Sequence, residues 1–291
     1  MHGHTRSKRH RRATAKATVS VPVIALAVAG LATGCGTANP QHAATGTARA
    51  TGRAQASAQP GVVRAVPISA AQIARLPMAT TDGTTPQAPQ DPAPFGPETG
   101  TVLHPATTRI VYGRPGGPAV AVLPATELGS PTWVPVILSQ PGWDRILLPS
   151  RPDRSTGWIY LGAGGLLTAY TPYQVDVNLA RYRLTIRDAG RILGTWTVAE
   201  GAPGTPTPRG RTFVLASLVP LQPTYSPLIL PLGTHSNTLD TYGGGPGTVG
   251  LHGWPDPSVF GHAVSHGCVR VPAAALRALS RVPLGSPVLI T

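Results

Sequence analysis

Glycine and proline leave this chain little room for long helices. With 34 Gly and 33 Pro among 291 residues, turns and breaks recur along most of the sequence, and each costs a helix interior heavily. A turn-rich β protein with linkers is therefore expected. The length allows two modest domains plus extensions.

The formal net charge is +13, but six positive side chains (Arg6, Lys8, Arg9, Arg11, Arg12 and Lys16) crowd the first seventeen residues, where no acidic residue stands. The remaining arginines are scattered rather than striped. No zinc-finger, helix-turn-helix or RNA-binding signature accompanies them, so nucleic acid is not the expected partner, and an anionic wall or membrane surface fits better. The basic start, the apolar run over 18–33 and the small residues Ala32, Thr33 and Gly34 before Cys35 have the layout of a secretory signal peptide over 1–34. At sixteen residues, broken by Ser20, Pro22 and Gly30, the run is short for a membrane span. It also resembles a bacterial lipoprotein signal, which implies lipidation of Cys35 and a membrane anchor; cleavage near Ala32 would instead release a soluble secreted protein. From 35 to 100 the chain is rich in Ala, Thr, Gly, Gln and Pro, and reads as a flexible tether.

Short β-type runs follow at 109–112, 119–123, 132–138, 144–148 and 158–161, separated by Gly-Pro turn signals. They predict a small barrel or sandwich over 101–166, and the segment resembles the bacterial SH3-like modules that precede catalytic domains in wall enzymes. Trp133, Trp143 and Trp158 read as its core in preference to a glycan-binding strip. A second unit, 170–291, opens with strict alternation: Val175, Val177 and Leu179, then Leu184 and Ile186 with Arg183, Thr185 and Arg187 opposite. Asp188-Ala189-Gly190 turns the chain. A helix starts near Pro272, with Leu276 and Leu279 inward, and a last strand ends the chain, so a β-sheet domain with a minor helical part is predicted.

The chemistry concentrates at Gly250-Leu251-His252-Gly253 and at Ser265-His266-Gly267-Cys268-Val269-Arg270. A thiol is a weak nucleophile at neutral pH, and a neighbouring imidazole can take its proton to leave a thiolate and an imidazolium. His252 is the candidate base for Cys268. Gly267 permits a tight turn, and the amides of Gly267 and Cys268 can point toward a developing oxyanion. Singly, a buried Cys or His is usually structural. A zinc site drawing on His235 and His262 lacks a second cysteine or clustered acids, so no metal is expected. The run Tyr242-Gly243-Gly244-Gly245-Pro246-Gly247 lacks the Lys-Ser or Lys-Thr of a phosphate loop and reads as a turn at the pocket mouth, with 218–246 as a lid and Tyr242 as a lining residue. Cys35 and Cys268 stand in such different settings that a disulfide between them is not expected.

Spaced as they are, a His, twelve residues, then Ser-His-Gly-Cys-Val-Arg resemble the L,D-transpeptidase (YkuD-type) catalytic motif. The resemblance implies a mainly β fold, with the SH3-like module preceding the catalytic domain, and an enzyme without cofactor acting on peptidoglycan stem peptides outside the cytoplasm; a monomer is expected. It implies a backbone carbonyl at Gly253 orienting His252 and a pocket-shaping role for His266 beside Gly267. Ser265 and Arg270 read as substrate-side residues, Ser265 also able to brace the loop through its hydroxyl and Arg270 either to hold a carboxylate or to tie the loop down. Cys268 would attack the third residue of a tetrapeptide stem, expel D-Ala, and pass the acyl group to an amine of a neighbouring stem. Acylation by carbapenems is implied as well. Two alternatives are an L,D-carboxypeptidase releasing D-Ala to water and a non-catalytic wall-binding lipoprotein.

Overall fold

The computed structural model describes residues 61–222 and 224–291. The leader, Cys35 and the first part of the expected tether lie outside the described residues. Strands dominate. The first group comprises β1 (Thr101–Pro105), β2 (Arg109–Tyr112), β3 (Ala119–Leu123), the short pair β4 (Thr126–Glu127) and β5 (Ser130–Pro131), β6 (Val134–Gln140), β7 (Trp143–Leu147), β8 (Thr156–Tyr160) and β9 (Leu166–Tyr170). Seven of them form one sheet in the order β3-β2-β8-β7-β6-β1-β9. The sheet therefore includes two strands the sequence did not announce, β1 and β9, and it runs on to Tyr170 rather than stopping at 166.

Leu103, Val111, Leu123, Val134, Ile146 and Ile159 fill its core. Trp143 and Trp158 pack with Tyr112 in an adjoining aromatic cluster. Trp133 is only half-buried and lies tilted against His104, ring centroids 5.2 Å apart. Two of the three tryptophans are thus core residues.

Within the tether expected over 35–100, the described residues 61–100 carry defined structure, which corrects that reading for its later part. A four-residue helix, α1 (Ala70–Ile73), carries a Ser69–Gln72 capping box. Beyond it, Ala79, Thr81, Thr85, Ala88 and Asp91 are buried. They are small or polar, so no hydrophobic rhythm betrays them. Long-range hydrogen bonds hold them instead: Ala79 to Val122, Thr85 to Arg151 and Asp91 to Arg154 through the backbone. Arg211 then clamps Asp91 with two bonds of 2.6 and 2.8 Å, both side chains nearly inaccessible.

The second group runs β10 (Tyr173–Asn178), β11 (Arg183–Asp188), β12 (Arg191–Thr197), β13 (Glu200–Gly201), β14 (Gly210–Phe213), β15 (Ile229–His235), β16 (Thr248–Gly253), β17 (Ala263–Ser265), β18 (Val269–Val271), then α2 (Ala273–Leu279) and β19 (Pro287–Ile290). A five-stranded sheet, β12-β11-β10-β19-β14, faces a three-stranded one, β15-β16-β18, across a common core. The alternation in β10 and β11 buries Val175, Val177, Leu184 and Ile186, and α2 lays Ala275, Leu276 and Leu279 on the same core. The expected lid over 218–246 needs correction: its middle is strand β15, buried for six of seven residues and paired with β16. Pro231 hid it, because proline argues against a central strand. Phe213 and Leu215, from this second group, sit in the first sheet's core.

Candidate active site

The small sheet β15-β16-β18 builds the site. β16 and β18 run parallel, with His252 opposite Arg270 and Leu251 opposite Val269, so His252 is the penultimate residue of one strand while Cys268 immediately precedes the other. Both side chains line one cavity of about 640 Å³, together with Tyr225, Tyr242, Trp254, Ser265, His266 and Arg270. The sequence-predicted residues are therefore brought together, Gly253 and Gly267 excepted as cavity lining.

His252 is buried, and its Nδ1–H donates to the Gly253 carbonyl at 2.8 Å. That bond leaves the Nε2 lone pair available. Gly253 is itself fixed, since its N–H donates to Ser226 Oγ at 2.7 Å. The Tyr225 ring meets the imidazole edge-on, with centroids 4.8 Å apart. Burial pushes His252 below the ordinary imidazole value; the Gly253 bond opposes this and the Arg270 charge adds to it.

Cys268 is a free, half-buried thiol. Burial pushes it up, and the Gly250 N–H and the Arg270 charge recover only part of that rise. Gly267 has φ +120, a conformation that favours glycine. Ser265 Oγ accepts from Gly267 N at 3.1 Å and donates to the Cys268 carbonyl at 2.5 Å. The Ser265 hydroxyl is thereby committed to bracing the loop. The Gly267 amide is also spent, which corrects its expected place among oxyanion donors. The Cys268 N–H has no protein acceptor among the described residues. Arg270 lies over the Trp254 ring at 3.6 Å, and its Nε is buried without a partner. His266 stacks on Tyr242 at 4.7 Å at the cavity mouth.

Several supporting residues escaped the sequence reading. Thr207 Oγ1 donates to Gly267 O at 2.8 Å and Thr205 Oγ1 to Ser265 O at 2.9 Å, so the 201–210 loop underpins the cysteine loop. Tyr225 and Ser226 sit in a proline-rich stretch with no local pattern. Trp254, two residues beyond His252, offered the one positional hint. Among the described residues no group of three or more His, Cys, Asp or Glu comes together as a metal site. His235 spends its ring nitrogens on Asp153 and Thr81.

The YkuD family, described as the L,D-transpeptidase catalytic domain, matches residues 172–290. A Bacillus licheniformis protein named as an L,D-transpeptidase of the YkuD type is 31% identical over 151 residues, covering 50% of this chain and 84% of that one. Among solved structures, an L,D-transpeptidase from Mycobacterium smegmatis is 16% identical, covers 51% of this chain and 90% of that chain, and has a TM-score of 0.34. For the Enterococcus faecium L,D-transpeptidase the figures are 21%, 41%, 50% and 0.33. Those two structural likenesses are too low to add to the assignment, which rests on the sequence matches. The chain belongs to the L,D-transpeptidase family and carries a YkuD-type catalytic domain over its C-terminal part.

Proposed function

We propose that this protein is a peptidoglycan L,D-transpeptidase, working outside the cytoplasm, which joins third residues of stem peptides through a thioester on Cys268. The observation that carries the reading is that Cys268 and a buried His252, its Nδ1 tied to the Gly253 carbonyl, line one cavity. With Nδ1 occupied, Nε2 is the atom that takes the thiol proton. Burial favours the neutral thiol and the neutral imidazole, so the ion pair expected from sequence alone is not the resting state these surroundings favour. Proton transfer then accompanies attack.

Cys268 Sγ adds to the carbonyl of the donor's third residue while its proton passes to His252 Nε2, and the Cys268 N–H is the donor left to meet the oxyanion. Collapse breaks the peptide bond, and His252 returns the proton to the departing D-Ala amine. An acceptor amine attacks the thioester, gives its proton to His252, and the thiol re-forms. Arg270, with Nε unpartnered inside the cavity wall, suits a substrate carboxylate. Among the described residues no helix is long and apolar enough to cross a membrane, and attachment through a lipidated Cys35 remains part of this proposal.

Incubating tetrapeptide stems with the parent and with Cys268→Ala tests the reading. The parent should release D-Ala, form dimers linked between third residues, and gain mass with a carbapenem; Cys268→Ala should do none of these. Tripeptides without dimers would make it a carboxypeptidase, and dimers persisting in Cys268→Ala would remove the thioester.

A further inference from the structure

The cavity mouth is held from outside the family's matched region. Residues 236–247 link β15 to β16, and Tyr242 and Gly243 in this loop line the cavity, with Tyr242 stacked on His266, two residues before Cys268. Both ends of the loop are tied to the N-terminal half. Asp153 accepts the His235 N–H and Nδ1–H at 2.9 Å each and the Thr234 hydroxyl at 2.6 Å. Across the ring, His235 Nε2 contacts the Thr81 carbonyl at 2.8 Å, and the Thr81 hydroxyl bonds that of Thr248 at 2.5 Å.

The loop's interior is tied by one side chain. Arg151, between β7 and β8, donates from Nη1 to the Ser236 carbonyl at 3.2 Å, and from Nη2 to the carbonyls of Leu239 at 3.2 Å and Pro246 at 2.9 Å. Gly247, at φ +72, is built around this crossing: a Cβ there would meet the Leu239 carbonyl oxygen at 2.2 Å and Arg151 Nη2 at 3.1 Å. A planar guanidinium suits the task, because its fixed fork reaches several carbonyls at once while an ammonium is a single point. None of Thr81, Arg151 and Asp153 falls within the catalytic-domain match at 172–290.

We infer that Arg151 is a positioning residue for the transpeptidase cavity: acting through the 236–247 loop, it sets Tyr242 against His266 and so fixes the wall against which the donor stem lies. Asp153 anchors the loop's leading end. The N-terminal sheet thereby completes the substrate site, where a separate wall-binding attachment would leave the cavity untouched. The inference rests on the proposed function for its substrate but not for its loop.

The test uses the full chain with Arg151→Ala and Arg151→Lys. Amide exchange in peptides covering 236–247 should quicken about tenfold or more in Arg151→Ala, with the β10–β12 region unchanged. Acylation by a tetrapeptide donor should lose about tenfold in kcat/KM, mainly through KM, because a displaced wall misaligns the substrate. Alkylation of Cys268 by iodoacetamide, which needs no such wall, should stay within about twofold. Lysine should recover part of the loss, and in a Tyr242→Ala background Arg151→Ala should cost markedly less, since both act through one contact. Unchanged exchange in 236–247 overturns the inference whatever the parent's activity, as does an alkylation rate that falls in step with acylation. If Arg151→Ala fails to fold, Arg151→Lys decides by the same readings. A parent inert toward stems defeats the functional reading alone, and exchange still judges the loop.

Discussion

At position 270 one guanidinium touches the titration of both reacting groups. Its charge lowers the Cys268 thiol and also lowers His252, so it favours the thiolate and disfavours the imidazolium. Arg270→Gln should therefore raise the thiol further and slow iodoacetamide alkylation severalfold at pH 8, with the rate still climbing above pH 9. A parent and variant with superimposable pH–rate curves would contradict this. Much of the arrangement at this scale was legible in the sequence: Cys268 and His252 line one cavity and the Gly253 carbonyl holds Nδ1 as the motif's resemblance implied, because His252 and Gly253 close β16 while Cys268 leads into the parallel β18. Ser265 and Gly267 were half-legible. Their presence was expected, but which donor is spent on the loop depends on a 3.1 Å contact that no spacing encodes.

Hairpins and strands differ in how plainly they declare themselves. The β11–β12 turn pairs Asp188 with Arg191, leaving Ala189 at φ 47 and Gly190 at φ 79, a type I′ geometry. Alanine is strained there by about 1–2 kcal/mol, while glycine adds chain entropy worth about 0.4–1 kcal/mol. Ala189→Gly should thus stabilise by roughly 0.5–1 kcal/mol and raise Tm by about 2 °C in thermal unfolding. Strict alternation made β10 and β11 readable, and β2 and β3 match the expected runs end to end. By contrast, β15 was concealed by Pro231 and β1 by Pro105. Segment 78–91 was concealed by its own chemistry, because Ala79, Thr81, Thr85 and Ala88 give no apolar signal and the first three are fixed by partners far along the chain. Arg151 was unreadable for the same reason, its loop contacts lying 85 to 95 residues away.

At the scale of the whole molecule, two buried carboxylates of the N-terminal half, Glu98 and Glu127 of β4, couple folding to pH. Burial raises Glu98 and Glu127 to about 7 each, and each has a buried carboxylate oxygen without a partner. The folded state therefore binds more protons than the unfolded chain between roughly pH 4.5 and 7, and stability falls as pH rises through that window. Asp91 works oppositely: burial raises it, but the Arg211 bond, the Ala93 N–H and the Arg211 and Arg145 charges hold it below its usual value. Its contribution is present above the ordinary aspartate range and is lost as pH falls through the depressed value. Melting followed by circular dichroism should peak near pH 5, be lower at pH 8, and drop again below pH 4. Glu98→Gln with Glu127→Gln should flatten the alkaline side. A Tm that climbs from pH 5 to 8 in the parent would count against this account.

Phe213 and Leu215 have no exposure, and they belong to the first sheet's core although the chain places them beyond the second unit's opening strands. The described residues accordingly form one compact unit. Thermal unfolding should then show a single transition, and a fragment starting at 170 should bare two greasy side chains and Arg211 without its carboxylate, making it prone to clump. Evolution cannot swap the forward half of such a protein for an unrelated passenger without also refitting the half that does the chemistry.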